Sequence, residues 1–318
     1  MSNKSSQVII TDSEFGDCSV ESEVLSDHAQ VTFAGARTAD ELISAAREAD
    51  ALLVQYASIT SEILDSLTRV KVIVRYGSGV DNIDVEHARR RGVDVRNVAN
   101  YCVEEVADHT AALVHAASRR VLLYNLAVKK GAWRPLDVPP PLPPQRDPVG
   151  IVGYGRIGSA VASRMVRAGH PVYVFDELAA ESARNDGHGC ASSLEELAAK
   201  VNHLTLHAPL VPETSGMLTH DVLDLLGDMG HVVNAARGAL IVEADLLCWL
   251  DAAPFCTASL DVLCQEPPTQ GTSKALAAHA RVVMSPHVAY LSTESVPRLR
   301  RRAALLVRDG LGFDGVGA

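Results

Sequence analysis

The chain has 318 residues, enough for two domains of ordinary size, each with its own core. Hydrophobic residues make up 47% and charged residues 21%, which excludes a chain dominated by disorder. A formal charge of -10 repels phosphate backbones and excludes nucleic acid as a partner; the basic clusters at Arg89 to Arg91 and Arg298 to Arg302 read as solvated helix faces.

From the start of the chain, short apolar runs alternate with segments of helical period. The runs are Val8 to Ile10, Val31 to Phe33, Ala51 to Val54, Val70 to Val74 and Val93 to Val95, with helical stretches such as Ala39 to Ala49 and Val85 to Arg91 between them. Alternation of this kind predicts a parallel α/β sheet, whose strands are buried on both faces and so read as continuous apolar runs. A segment from Val103 to about Lys130 then has apolar residues at 103, 106, 107, 114, 117 and 121, with Thr110 on the same face. Read as one helix it would span about 40 Å, enough to carry the chain from one domain into another. Arg134 to Pro148 holds seven of the 15 prolines and predicts a stiff, polyproline-like linker.

A second series follows, with strands at Val149 to Val152, Val172 to Phe175, His203 to His207, His231 to Val233, Thr257 to Leu260 and Arg281 to Met284. Six strands with helices between them make a full doubly wound sheet. A basic helical tail, about Ser292 to Gly310, is expected to return and pack on the first domain. The six cysteines show no Cys-x-x-Cys spacing and read as reduced thiols. With no signal core before Val8 and no apolar run of about 18 residues, the chain is expected to be cytoplasmic, with no membrane partner.

Gly153-Tyr-Gly155-Arg-Ile-Gly158 follows the strand Val149 to Val152, opens a helix, and is followed by a second strand that ends in Asp176. That context predicts a dinucleotide site. The first glycine allows the tight turn, the second lets pyrophosphate approach the backbone, and the third lets helix and strand pack closely. Asp176 accepts from ribose hydroxyls and repels a 2'-phosphate, so the cofactor is NAD rather than NADP; Glu177 beside it adds to that preference.

Three more residues lie at or just beyond the ends of second-series strands, the edge where open α/β sheets bind ligands: Arg237, Glu266 and His287. Histidine titrates near neutrality and can give or take a proton. A carboxylate beside it orients the ring and favours the charged form, and arginine can engage a carboxylate while polarising the adjacent carbonyl. Singly, each has a structural reading as a helix cap, a turn residue or a packed histidine. Together they point to hydride chemistry on a carbonyl.

The series Val74-Arg-Tyr-Gly-Ser-Gly-Val-Asp-Asn-Ile-Asp84, Val103 to Thr110, the glycine loop, His207 to Thr214, Val233 to Gly238, Leu260-Asp-Val262 and Ser285 to Tyr290 resembles the D-isomer-specific 2-hydroxyacid dehydrogenase family, most of all its C-terminal-binding-protein and phosphoglycerate dehydrogenase branches. The resemblance implies two Rossmann-like doubly wound domains, with an NAD-binding domain (99–289) inserted into a flavodoxin-like substrate domain (1–98 plus 290–318). It implies a homodimer acting on a small 2-oxo or 2-hydroxy acid, bound in the cleft between the domains. Arg237 would bind the carboxylate and carbonyl, His287 would be the acid/base and Glu266 its partner. Ser78 and Gly79 would meet substrate and nicotinamide, and Arg156, Ile157, Asp176, Pro209, Thr214, Ala235 and Asp261 would line the cofactor site with the three glycines.

The chain departs from the family pattern in two places. Phosphoglycerate-type members often carry arginine after the third strand, where this chain has Gln55-Tyr56; the corepressor-like branch has tryptophan where this chain has Tyr290. The alternatives are an NAD(H)-sensing, corepressor-like interaction protein, and a formate or phosphite dehydrogenase on the same scaffold.

Overall fold

The computed structural model describes residues 5–313 and divides into two compact units. The first holds the chain up to Tyr101 and again from Leu291, and the second runs from Cys102 to Tyr290.

In the first unit, β1 (Ser6–Ile10), β2 (Ala29–Phe33), β3 (Ala51–Val54), β4 (Val72–Arg75) and β5 (Asp94–Asn97) form one parallel sheet in the order β2-β1-β3-β4-β5. This is the flavodoxin-like winding. Central β3 is buried at all four residues, as a strand covered on both faces must be.

The Ser295–Gly310 helix belongs to this unit and packs on the Ser19–Leu25 helix and on β4. Its buried stripe is Leu299, Arg300, Ala303, Ala304 and Val307. Arg300 is therefore not part of a solvated face: it is 6% exposed, with Nη2 2.7 Å from Glu21 Oε2 and 2.8 Å from Asp17 Oδ1. The Tyr76 hydroxyl donates to the other Glu21 oxygen at 2.8 Å. A helix that returns to cover a sheet buries one stripe whatever its charges, and buried ions must then be paired.

The second unit contains β6 (Val149–Val152), β7 (Val172–Phe175), β8 (Gly189–Cys190), β9 (His203–Leu206), β10 (His231–Asn234), β11 (Thr257–Leu260) and β12 (Val282–Met284). All run parallel, in the order β12-β11-β10-β9-β6-β7-β8. The order reverses at the β6/β9 pair, the switch point at which such sheets take ligands.

Three expectations are corrected here. The sheet has seven strands rather than six, because β8 is a two-residue strand too short to show as an apolar run. The long helical segment is two helices, Val103–Ser118 and Val121–Lys129, broken where Arg120 takes a left-handed φ of 57°. Neither these helices nor the proline segment connects the two units, since all lie inside the second. The first of these helices packs instead on the Arg156–Arg167 helix, with Arg164 bridging Glu104 and Asp108 at 2.7 and 2.6 Å. The proline segment forms two 3-10 turns, Pro135–Asp137 and Pro144–Arg146, and leads into β6.

The amino ends of these strands carry a buried polar layer. His203 and His231 face each other across the β9/β10 register with ring centroids 5.9 Å apart. Buried Asp147 accepts from the Ser118 hydroxyl at 2.5 Å and contacts His203 Nε2 at 2.9 Å. Burial, reinforced by the charges of His203 and Arg120, holds the His231 ring well below the ordinary histidine range; burial with neighbouring His170 and His203 lowers His115 too. A histidine whose folded value is depressed supports stability above its unfolded value, and that support is lost as the pH falls below it. The unfolding midpoint should therefore fall by about 4 °C or more between about pH 6.5 and 5. His231→Gln should reduce that fall in a calorimetric or circular-dichroism titration, and a midpoint flat across the window would contradict the assignment.

Candidate active site

The glycine loop leaves β6 and enters the Arg156–Arg167 helix, which has no side-chain cap among the described residues. Gly153 has a φ of 88°, and a side chain there would meet the Ala208 backbone nitrogen at 2.8 Å, so the loop lies directly on the strand end after β9. At Gly158 a Cβ would run into the Gly153 carbonyl. Gly155 faces open space. That combination leaves Gly155, Arg156 and Ile157 presenting backbone N–H groups at a helix start, the arrangement that receives a pyrophosphate.

Asp176, just after β7, does more than the sequence suggests. Its Oδ2 accepts from the Tyr154 N–H at 2.6 Å, and its Oδ1 accepts from the N–H groups of Leu178 and Ala179, both at 2.8 Å. Burial raises its carboxyl, but the three amides outweigh it and the net shift is downward. An ionised carboxylate has roughly four acceptor sites, so one is left for a ribose hydroxyl. Tyr154 is anchored in turn, its hydroxyl donating to Asp186 at 2.7 Å.

Arg237 stands on the turn that follows β10. Buried Asn234 forms that turn: its amide donates to the Arg237 carbonyl at 2.8 Å and its Oδ1 accepts from the Ala236 N–H at 3.0 Å, spanning Ala235. At Gly238 a Cβ would run into the Leu263 carbonyl and the Cys264 nitrogen. Only glycine lets the loop after β10 lie against the loop after β11, and this contact brings Arg237 toward Glu266.

Glu266 Oε1 accepts from the Leu263 N–H at 2.9 Å, and its Oε2 lies 2.7 Å from His287 Nδ1. Burial raises the Glu266 carboxyl; the His287 hydrogen bond and charge, the Leu263 N–H and the Arg237 charge reverse that and hold it below the usual range. The carboxylate can only accept, so Nδ1 carries the hydrogen and Nε2 is the ring nitrogen for proton exchange. Tyr290 meets the imidazole edge-on at 6.3 Å between centroids.

Among the other expected residues, Thr214 and Pro209 share one loop after β9: the Thr214 hydroxyl donates to the Pro209 carbonyl at 2.6 Å and accepts from the Val211 N–H at 3.0 Å. Asp261, at the end of β11, is 2% exposed, with its oxygens committed to the loop that carries His287. Ser78 and Gly79 follow β4 in the first unit. Sequence reasoning missed Asn234, Leu263 and Ser285, whose work is done through short bonds to neighbours. Among the described residues no group of three or more His, Cys, Asp or Glu is arranged to hold a metal ion, and no helix is long and apolar enough to cross a membrane.

The model of the D-isomer specific 2-hydroxyacid dehydrogenase NAD binding domain matches residues 111–289, more than half of the chain. The chain belongs to this family. It is 32% identical over 293 residues to a D-3-phosphoglycerate dehydrogenase of Mycobacterium tuberculosis, covering 92% of this chain and 55% of that protein. It is 35% identical over 249 residues to one of Bacillus subtilis, covering 77% and 46%. The chain thus spans about half the length of the curated relatives it matches. The crystal structure of an Aquifex aeolicus D-lactate dehydrogenase, complexed with NAD and lactic acid, superposes with a TM-score of 0.85 at 25% identity over 96% of both chains. The matched domain is an NAD binding domain, and the glycine loop with Asp176 fits that cofactor.

Two outcomes follow from this geometry. Asp176→Ala should weaken NADH binding by about tenfold or more, narrow the gap between NADH and NADPH, and cost about 1 kcal/mol of stability from the three freed amides. Fluorescence titration with both cofactors checks it, and equal affinity for the two in the parent protein would contradict the role of Asp176. Gly238→Ala should lower the melting temperature by several degrees, since backbone on both sides must move apart; an unchanged melting curve would mean that the two loops are not locked together.

Proposed function

We propose that the protein is an NAD-dependent dehydrogenase that interconverts a small 2-oxo acid and its D-2-hydroxy acid. The observation that carries this reading is the 2.7 Å pairing of His287 with Glu266, next to the turn that presents Arg237. The first unit would be the substrate domain and the second the NAD domain.

When bound, NAD supplies or accepts the hydride. Arg237 holds the substrate carboxylate and draws electron density from the adjacent carbonyl. His287 delivers a proton from Nε2 to the carbonyl oxygen during reduction and removes it during oxidation. Glu266 accepts from Nδ1, fixing Nε2 as the nitrogen that faces the reaction. Because Glu266 is held below the usual carboxylate range, it stays ionised at neutral pH. Ser78 and Gly79 would contact substrate and nicotinamide, and Pro209, Thr214, Ala235 and Asp261 would line the cofactor.

The carboxyl ends of β1 and β3 support a substrate without phosphate. Asp12 accepts from the Tyr56 N–H at 2.6 Å, and the Tyr56 hydroxyl donates to Glu14 at 3.2 Å. Two carboxylates there disfavour a further anion.

A homodimer in a reducing, cytoplasmic setting fits two more observations. Val121, Val128, Trp133 (85% exposed) and Leu136 (82% exposed) lie within one short stretch of the second unit, and the six cysteines are thiols rather than disulfides. A second copy would cover that apolar stretch, and Trp133→Glu should then shift the size in solution toward the monomer.

Turnover should be measured with NADH and a panel that includes hydroxypyruvate, phenylpyruvate and phosphonopyruvate. His287→Ala should lower it by about a hundredfold or more while NADH affinity stays nearly intact. Arg237→Ala should damage both KM and kcat, since one cation serves binding and polarisation. Glu266→Gln should lower turnover by about tenfold or more, because an amide no longer fixes which ring nitrogen of His287 faces the substrate. Retention of most activity by His287→Ala would overturn the acid/base role. Tight NADH binding with no turnover across the panel would favour an NAD(H) sensor.

A further inference from the structure

His287 is not glycine, yet its φ is 54°. A left-handed backbone at such a residue persists only where its surroundings over-determine it. Asp261 supplies that hold. Its carbonyl accepts from the His287 N–H at 2.8 Å, its Oδ1 from the Val288 N–H at 2.9 Å and its Oδ2 from the Ala289 N–H at 2.9 Å. One buried aspartate therefore fixes three consecutive residues of the loop that carries the imidazole.

Asp261 is itself held from the far side. The Ser285 hydroxyl lies 2.5 Å from Asp261 Oδ1 and 3.2 Å from His109 Nε2, and His109 stands on the Val103–Ser118 helix. Donor logic orients this chain. The carboxylate can only accept, so Ser285 gives it its single hydrogen; Ser285 must then accept from His109, which carries its hydrogen on Nε2. His109 Nε2 is 3.9 Å from the same Asp261 oxygen, close enough to act on its charge without displacing the serine.

We infer that His109, Ser285 and Asp261 form a directed hydrogen-bond relay from the Val103–Ser118 helix to the acid/base loop, which makes His109 and Ser285 positioning residues for the reaction. The inference rests on the proposed role of His287. Glu266 sets the direction of the imidazole ring; the relay sets the backbone from which the ring projects. Without the His109 donor, the Ser285 hydroxyl is free to turn away from Asp261, and the left-handed residue loses part of what sustains it. The proton donor then shifts relative to the substrate oxygen while the glycine loop and the Arg237 turn stay in place.

The test uses the full chain with NADH and hydroxypyruvate or phenylpyruvate. His109→Leu and Ser285→Ala should lower kcat by roughly tenfold to a hundredfold, with KM and NADH affinity changed by less than about threefold. His109→Gln and Ser285→Thr, which keep a donor and a hydroxyl at those places, should recover most of the loss. Amide exchange at Val288 and Ala289 should be at least about tenfold faster in His109→Leu and Ser285→Ala than in the parent, a readout that requires no turnover. Unchanged exchange at these amides, or equal losses in the conservative variants, would overturn the relay. His287→Ala is measured alongside: if it stays active, the acid/base assignment fails whatever the loop does. If it is inactive while His109→Leu and Ser285→Ala turn over like the parent, only the relay fails.

Discussion

Every strand of the seven-stranded sheet points the same way, and the candidate site exists because of that constraint. Parallel strands need a covered crossover between them, so all their carboxyl ends emerge at one edge while the return helices occupy the faces. The glycine loop after β6, the Pro209–Thr214 loop after β9, the Arg237 turn after β10, Glu266 after β11 and His287 after β12 all reach that edge. Residues more than a hundred positions apart become neighbours without any long loop having to reach across the domain. The opposite edge collects the strand beginnings, and there the chain has spent its buried polarity on the Asp147 and histidine layer instead.

Within that frame, close backbone approach decides the details. Gly153 lets the glycine loop lie on the strand end after β9, and Gly238 lets the loops after β10 and β11 touch. Polar side chains of modest size then fix the turns: Asn234 spans the Arg237 turn, Asp176 ties the glycine loop to the turn after β7, and Asp261 grips the His287 loop. Each of these residues satisfies backbone groups that would otherwise be left unpaired, which is why a site built on loops can be as rigid as the sheet beneath it.

The amino-acid sequence discloses this architecture unevenly, for physical reasons. β6 and β11 stand where their apolar runs are, because a strand buried on both faces has little freedom in composition. β8 escapes notice because Gly189 and Cys190 make up the whole strand and neither is a strong strand former. The break at Arg120 escapes because no glycine or proline marks it; the apolar period continues through the kink, and only the left-handed φ records it. Arg300 looks like a surface charge until the acid that neutralises it, Glu21, is brought from 279 positions away. At the candidate site, Arg237, Glu266 and His287 are readable because their chemistry is unusual at strand ends. Asn234 and Ser285 are not, since a polar residue that bonds its own neighbourhood leaves no periodicity or charge signature. Asp261 is found from the family pattern, but its grip on the His287 loop is a matter of three-dimensional hydrogen bonds.

The Ser295–Gly310 helix gives the first unit a particular birth order. During synthesis the five strands of that unit leave the ribosome first, yet the helix that packs on β4 is made only after the whole second unit has been translated. Until then one face of β4 and the acid pair Asp17 and Glu21 wait without the Arg300 that neutralises them. The continuous second unit can complete itself from its own residues, whereas the first must close a loop of nearly two hundred positions, which is slow and leaves apolar strand surface open for longer. A nascent chain of this protein is therefore most exposed to chaperones and to aggregation through its amino-terminal sheet, and Arg300 marks the end of that vulnerable interval.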